Sequence, residues 1–101
     1  IYVYLNYIYI IMTNDNQQIE NKDLYNNNYE TDILIKNINR LDMVEILKTQ
    51  YLDIDFVINY ILNKEYQCMP NEEDIDIHDI IRYQPHLNRN NIIEEYNKKS
   101  N

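Results

Sequence analysis

The chain has 101 residues, enough for one small domain or two very small ones with a modest core, and a net charge of −8. That acidity argues against nucleic-acid binding by this chain alone, because a phosphate backbone calls for basic surface. A single cysteine, Cys68, excludes an intrachain disulfide and fits a reducing, intracellular setting, cytoplasmic or nuclear. Asn occurs 17 times, Ile 18 and Tyr 11, whereas Gly, Ala and Trp are absent. Such usage is the mark of an AT-rich coding sequence, so no single tyrosine or asparagine carries functional weight by itself.

The N-terminal run IYVYLNYIYIIM, residues 1–12, is apolar and aromatic. It is too short to cross a bilayer, which takes about 20 residues, and no basic region precedes it as in a secretory signal. Three readings stay open: an element packed on the domain, the remnant of a longer chain, or an extension upstream of a true start at Met12. Over 13–30 only Ile19, Leu24, Tyr25 and Tyr29 interrupt a polar, Asn-rich sequence, which predicts a mostly disordered linker.

Helix signals then follow one another. Thr31 or Asp32 can cap a helix over 32–37 that carries Ile33, Leu34 and Ile38. Asp42 and Glu45 stand at capping-box spacing, and Met43, Ile46 and Leu47 share one face of a helix over 42–50. Asp53 caps a third helix over 53–63, whose Ile54, Val57, Ile58 and Ile61 match the i, i+3, i+4, i+7 template. The expected core is Ile33, Met43, Leu47, Ile54, Ile58 and Ile61. Phe56 and Tyr60, four apart on the other side, read as packing residues that support each other or cover Tyr66 or the N-terminal segment.

Cys68-Met69-Pro70-Asn71 breaks the pattern, and the acidic run that follows reads as a solvated connector over 67–77. Asp76 caps a further helix with Ile77, Ile80 and Ile81, which must end near Gln84 because Pro85 follows. Asn88 caps a last helix with Ile92, Ile93 and Tyr96 on its apolar side. The expected fold class is all-α.

The segment 32–63 resembles the ubiquitin-associated (UBA) domain in its helix spacing, its Asp53 cap and its closing Ile61-Leu62 pair. The resemblance implies a three-helix unit over 32–66 that binds ubiquitin or a ubiquitin-like protein. The family's partner surface is the loop after its first helix, commonly Met-Gly-Phe, and a Leu pair that ends its third. Lys36-Asn37-Ile38 stands in the place of that loop and Ile61-Leu62 in the place of the pair. Ile38 keeps the apolar role, and Asn37 is a tolerable replacement for Gly because Asn visits the left-handed region more readily than most residues. Lys36 replaces an apolar contact residue, and Val57 replaces a small one. A shorter stretch, 80–96, resembles the opening of the related CUE domain, with Tyr83-Gln84-Pro85 in place of Met-Phe-Pro and only Pro85 identical. The expected organisation after the connector is a helical C-terminal extension over 78–101, which on that resemblance is an incomplete CUE-like unit.

The apolar stripes are core before they are anything else, so a partner surface is expected at their edges, at Ile38 and Leu62. An apolar pair beside acidic surface suits a partner that is apolar at its centre and basic around it. His78, His86 and Cys68 are too few for a zinc site of Cys and His, and the histidines read as solvent-exposed. Glu72, Glu73, Asp74, Asp76 and Asp79 lack the central Gly of a calcium loop. The same want of Gly excludes a phosphate cradle, and Ser100 is the sole serine. The expectation is therefore a non-enzymatic adaptor or protein-interaction module without cofactor or metal. Its expected partner-binding residues are Asn37, Ile38, Ile61, Leu62, Tyr83 and Pro85. The alternative is a small lineage-specific structural subunit of a larger assembly.

Overall fold

The structure is a computed structural model that describes residues 18–67 and 69–100, and its regular elements among those residues are all helical. Six α-helices follow in order: α1 Thr31–Lys36, α2 Met43–Thr49, α3 Ile54–Phe56, α4 Pro70–Glu73, α5 Ile77–Tyr83 and α6 Arg89–Ser100. Helix α3 runs on without a break into a π-helical stretch, Val57–Ile61, closed by Leu62 N donating to Val57 O at 2.9 Å. Short 3-10 turns lie at Asn21–Tyr25, Ile38–Arg40 and Lys64–Tyr66. The all-α expectation is met. Residues 1–12 and Cys68, which entered the sequence reading, lie outside the described residues.

The caps are where local chemistry places them. Asp42 accepts from Val44 N and Asp53 from Phe56 N, each at 2.8 Å. Asp76 and Asp79 form a reciprocal capping box at 3.0 and 3.1 Å, and Asn88 accepts from Asn90 N and Asn91 N. Each satisfies N–H groups that a helix start leaves without partners. Helix α1 departs by one position: Glu30, not Thr31 or Asp32, is its N-cap, without a side-chain bond. Pro70 opens α4, because a first-turn residue has no N–H bond to lose.

The Asn turns of the chain are more ordered than their composition predicts. The described part of the expected linker is docked: Ile19 and Leu24 are in the core, and the turn Asn21–Tyr25 packs on α2. Side chains from elsewhere bond its backbone, Asn37 Oδ1 accepting from Ile19 N at 3.1 Å and Gln50 Oε1 from Tyr29 N at 2.7 Å. Asn21 and Asn28 reach across in turn to accept from Asp42 N and Tyr51 N. Short polar side chains that compete for backbone groups order a loop when those groups are within reach. The acidic connector is likewise not all solvated, since Glu72 is buried and accepts from Met43 N and Met69 N, each at 2.7 Å.

Helix α2 is the hub, touching the Asn21–Tyr25 turn, the π stretch, α4 and α5, while α6 lies against α5 and the π stretch. Met43, Ile46, Leu47, Val57, Ile61 and Ile80 are enclosed between them. Ile58 joins this core as expected, but Ile33 and Ile54 stay at its edge, and Leu34 and Phe56 take the interior. In helices this short the partner surface, not the helix's own periodicity, selects the buried side. Phe56, Tyr60 and Tyr66 form a chain of tilted rings with centroids 5.0 Å apart at each step, so the aromatic pair is packing.

Candidate functional site

Where the π stretch ends, α5 begins and α6 packs on both, five side chains leave an open apolar groove. Leu62, Ile77, Ile92, Ile93 and Tyr96 line a cavity of about 220 Å³. The π closure at Val57 sets Leu62 just past the helix end, half-buried at the margin of the core. Ile92 is its floor, whereas Ile93 and Tyr96 are 41% and 42% exposed. A second cavity of about 340 Å³ shares Leu62 and Tyr96 and is bounded by Ile58, Lys64, Glu65 and Lys99. The groove therefore passes from an apolar floor to a charged rim.

The rim carries both signs. Lys98 pairs with Glu94 and Glu95 at 3.5 and 3.3 Å, and its ammonium is held above the ordinary lysine range chiefly by the Glu95 bond. Lys99 bonds Asn59 Oδ1, which ties the end of α6 to the π stretch. At α5 the Asp76 carboxyl is held below its ordinary range, first by the Asp79 backbone N–H that it caps. These bonds hold the end of α6 and the start of α5 in place.

Of the six residues expected to meet a partner, only Leu62 lines this groove. Asn37, Ile38 and Ile61 are buried, so the loop after α1 faces inward instead of offering a surface. Asn37 spends its amide on the backbone, accepting from Ile19 N and donating to Ile33 O. Ile61 is enclosed because the π stretch turns it toward α2 with Val57. Tyr83 is at the surface, with Lys48 and Arg82 5.9 and 5.7 Å from its ring centre, and Pro85 is exposed; neither lines the groove.

Ile77, Ile93 and Tyr96 were expected on apolar helix faces and not at a site. One signal in the sequence marks Ile93 alone: it is the neighbour of Ile92, about 100° away on a helix of 3.6 residues per turn. Both cannot lie at the centre of one packing face.

Other candidates are weaker. A cavity of about 400 Å³ beside Tyr51 and residues 28–32 is lined largely by polar groups. His86 stacks on Tyr51 at 3.9 Å, and its Nε2 lies 2.6 Å from Leu52 O, a contact in which Nε2–H is the donor. The ring is exposed yet serves as a loop clasp. Among the described residues no group of His, Cys, Asp or Glu is arranged to hold a metal ion, and no helix is long and apolar enough to cross a membrane. Comparison of the chain with family models, with curated proteins and with solved structures finds no match.

Proposed function

We propose that this chain is a non-enzymatic protein-interaction module whose docking surface is the groove between Leu62 and α6. The observation that carries the reading is Ile93, a large aliphatic side chain 41% exposed at the edge of a contiguous apolar floor. Apolar floor with a mixed polar rim is the anatomy of a protein interface. Ubiquitin or a ubiquitin-like protein is the partner class that the UBA resemblance of 32–63 implies, and Leu62 is the residue common to that resemblance and to the groove. The buried Asn37, Ile38 and Ile61 move the contact away from the loop after α1 and toward α6.

The test is an NMR titration of the labelled full chain with ubiquitin. Resonances of Leu62, Ile93 and Tyr96 should shift together and saturate, with those of Tyr83 and Tyr25 unmoved. If none of the three moves at millimolar ubiquitin, that partner is wrong.

A second reading, a subunit of a larger assembly, draws on Tyr25, Tyr51 and Met69, which add further exposed apolar side chains outside the groove. It expects self-association or aggregation of the isolated chain in sedimentation, where the module reading expects a monomer.

A further inference from the structure

Two glutamines do the same work one hairpin apart. Gln50 Nε2 donates to the carbonyls of Leu24 and Asn27, and its Oε1 accepts from Tyr29 N. Gln84 Nε2 donates to the carbonyls of Leu47 and Gln50, and its Oε1 accepts from Leu52 N. In both sets the bonded backbone groups are spaced by three residues and then by two. The loop after the Asn21–Tyr25 turn and the loop after α2 therefore present one backbone pattern to one kind of side chain.

That equivalence divides the described chain into three helical hairpins, residues 21–36, 43–61 and 77–100. The second helix of each starts at Glu30, Asp53 or Asn88 and buries the residue four positions on, Leu34, Val57 or Ile92. The second and third hairpins stack in register, α2 on α5 and the π stretch of α3 on α6. Stacked hairpins of this kind bury each face only against the next unit.

The residue five positions after the cap differs between the two stacked hairpins. Ile58 is 7% exposed beneath α6, but its counterpart Ile93 is 41% exposed. The loop of the last hairpin is closed on itself, Leu87 N donating to Gln84 O at 3.0 Å, so no further glutamine is called for there. Among the described residues no helix lies on the Ile93 side of α6.

We infer that the outer face of α6 docks one amphipathic helix of a partner protein, laid on α6 as α6 lies on α3. The helix presents a branched aliphatic and an aromatic side chain at i and i+4, as α6 does with Ile92 and Tyr96. A second copy of this chain is disfavoured as the source, because each copy carries −8 and the two would repel. The inference rests on the docking-surface reading of the groove and is independent of ubiquitin.

The probe is a synthetic peptide with the sequence of residues 87–100, titrated into the methyl-labelled full chain. The peptide carries Arg89, Lys98 and Lys99 against Glu94 and Glu95, a balance of +1. Saturable shifts at Ile77 and Ile93, a gain of helical ellipticity by the peptide, and a tenfold or greater loss of affinity in Ile93→Glu are expected. Ile93→Ser should lose affinity as well, and Tyr25→Ser should not. No shift at millimolar peptide overturns the inference, and so do shifts centred on Ile58 and Asn59, which would mean exchange with α6. A dimer of the free chain that Ile93→Glu dissolves overturns it in favour of a second copy. Contacts from Ile93 to this chain's own residues 1–12 before peptide is added overturn it too. If ubiquitin moves Ile93 and the peptide does not, the docking surface stands and the helical partner falls; if neither moves it, both fall.

Discussion

Gln84 is 2% exposed and joins segments more than thirty residues apart through Leu47 O, Gln50 O and Leu52 N, at 2.8, 2.6 and 2.9 Å. A buried amide with all these bonds made adds little net stability, but removing it leaves three backbone groups unpaired away from water. Gln84→Ala should therefore cost about 2–4 kcal/mol in urea unfolding, as much as truncating an apolar core side chain of its size. Gln84→Glu should be worse at neutral pH, because a carboxylate would face two carbonyls that need donors. Glu72 poses the converse demand, since both its oxygens accept from backbone N–H groups. Glu72→Gln turns one acceptor into a donor against an N–H and should cost about 1–3 kcal/mol. A neutral result for either glutamine exchange would mean that water reaches these sites.

Elements in this chain are short, so their ends decide much of their stability. Asp53→Ala removes the bond to Phe56 N and should destabilise by about 0.5–2 kcal/mol, with the α3 amides showing the loss first in hydrogen exchange. Asp76 makes α5 sensitive to acid. Its folded carboxyl lies below the ordinary value of 3.8, so its contribution is complete above the unfolded value and is lost as pH falls through the lower folded one. Chemical shifts of α5 should change below about pH 4. Asp76→Asn, which caps without titrating, should remove that part of the acid response.

At the scale of the whole molecule, two isoleucines on successive hairpins separate core from surface. Ile61 is fully enclosed, so Ile61→Asp puts an unpaired charge in an apolar site. The cost should approach the whole stability of a small domain, about 5–15 kcal/mol, and abolish the thermal transition in circular dichroism. Ile93→Asp changes a partly solvated position and should leave the melting curve within about 0.5 kcal/mol of the parent. Loss of helix in Ile93→Asp would place Ile93 in the core and remove the docking surface.

The all-α class and the helices other than α4 were legible in the sequence, with their starts except that of α1, because a cap and an apolar stripe are written within four residues of each other. Asp42, Asp53, Asp76 and Asn88 are examples, each bonding within the next three residues. The inward side was legible for α2, whose Met43, Ile46 and Leu47 are buried, but not for α1 or the start of α3, where Leu34 and Phe56 go inward instead of Ile33 and Ile54. Ile38 and Ile61 carry the same side chain as Ile93, yet two are buried and one is exposed, and the difference lies in what packs over them. The order of the Asn-rich segment was hidden for the same reason, since the bonds that tie it down, made by Asn37 and Gln50 to its backbone and by its own Asn21 to Asp42 N, act across 18 to 26 residues. Local sequence sets propensity and capping, but burial is a property of pairs of surfaces. Only the tertiary structure brings those pairs together, so only it decided that, among the described residues, Leu62, Ile77 and α6 leave an apolar groove open.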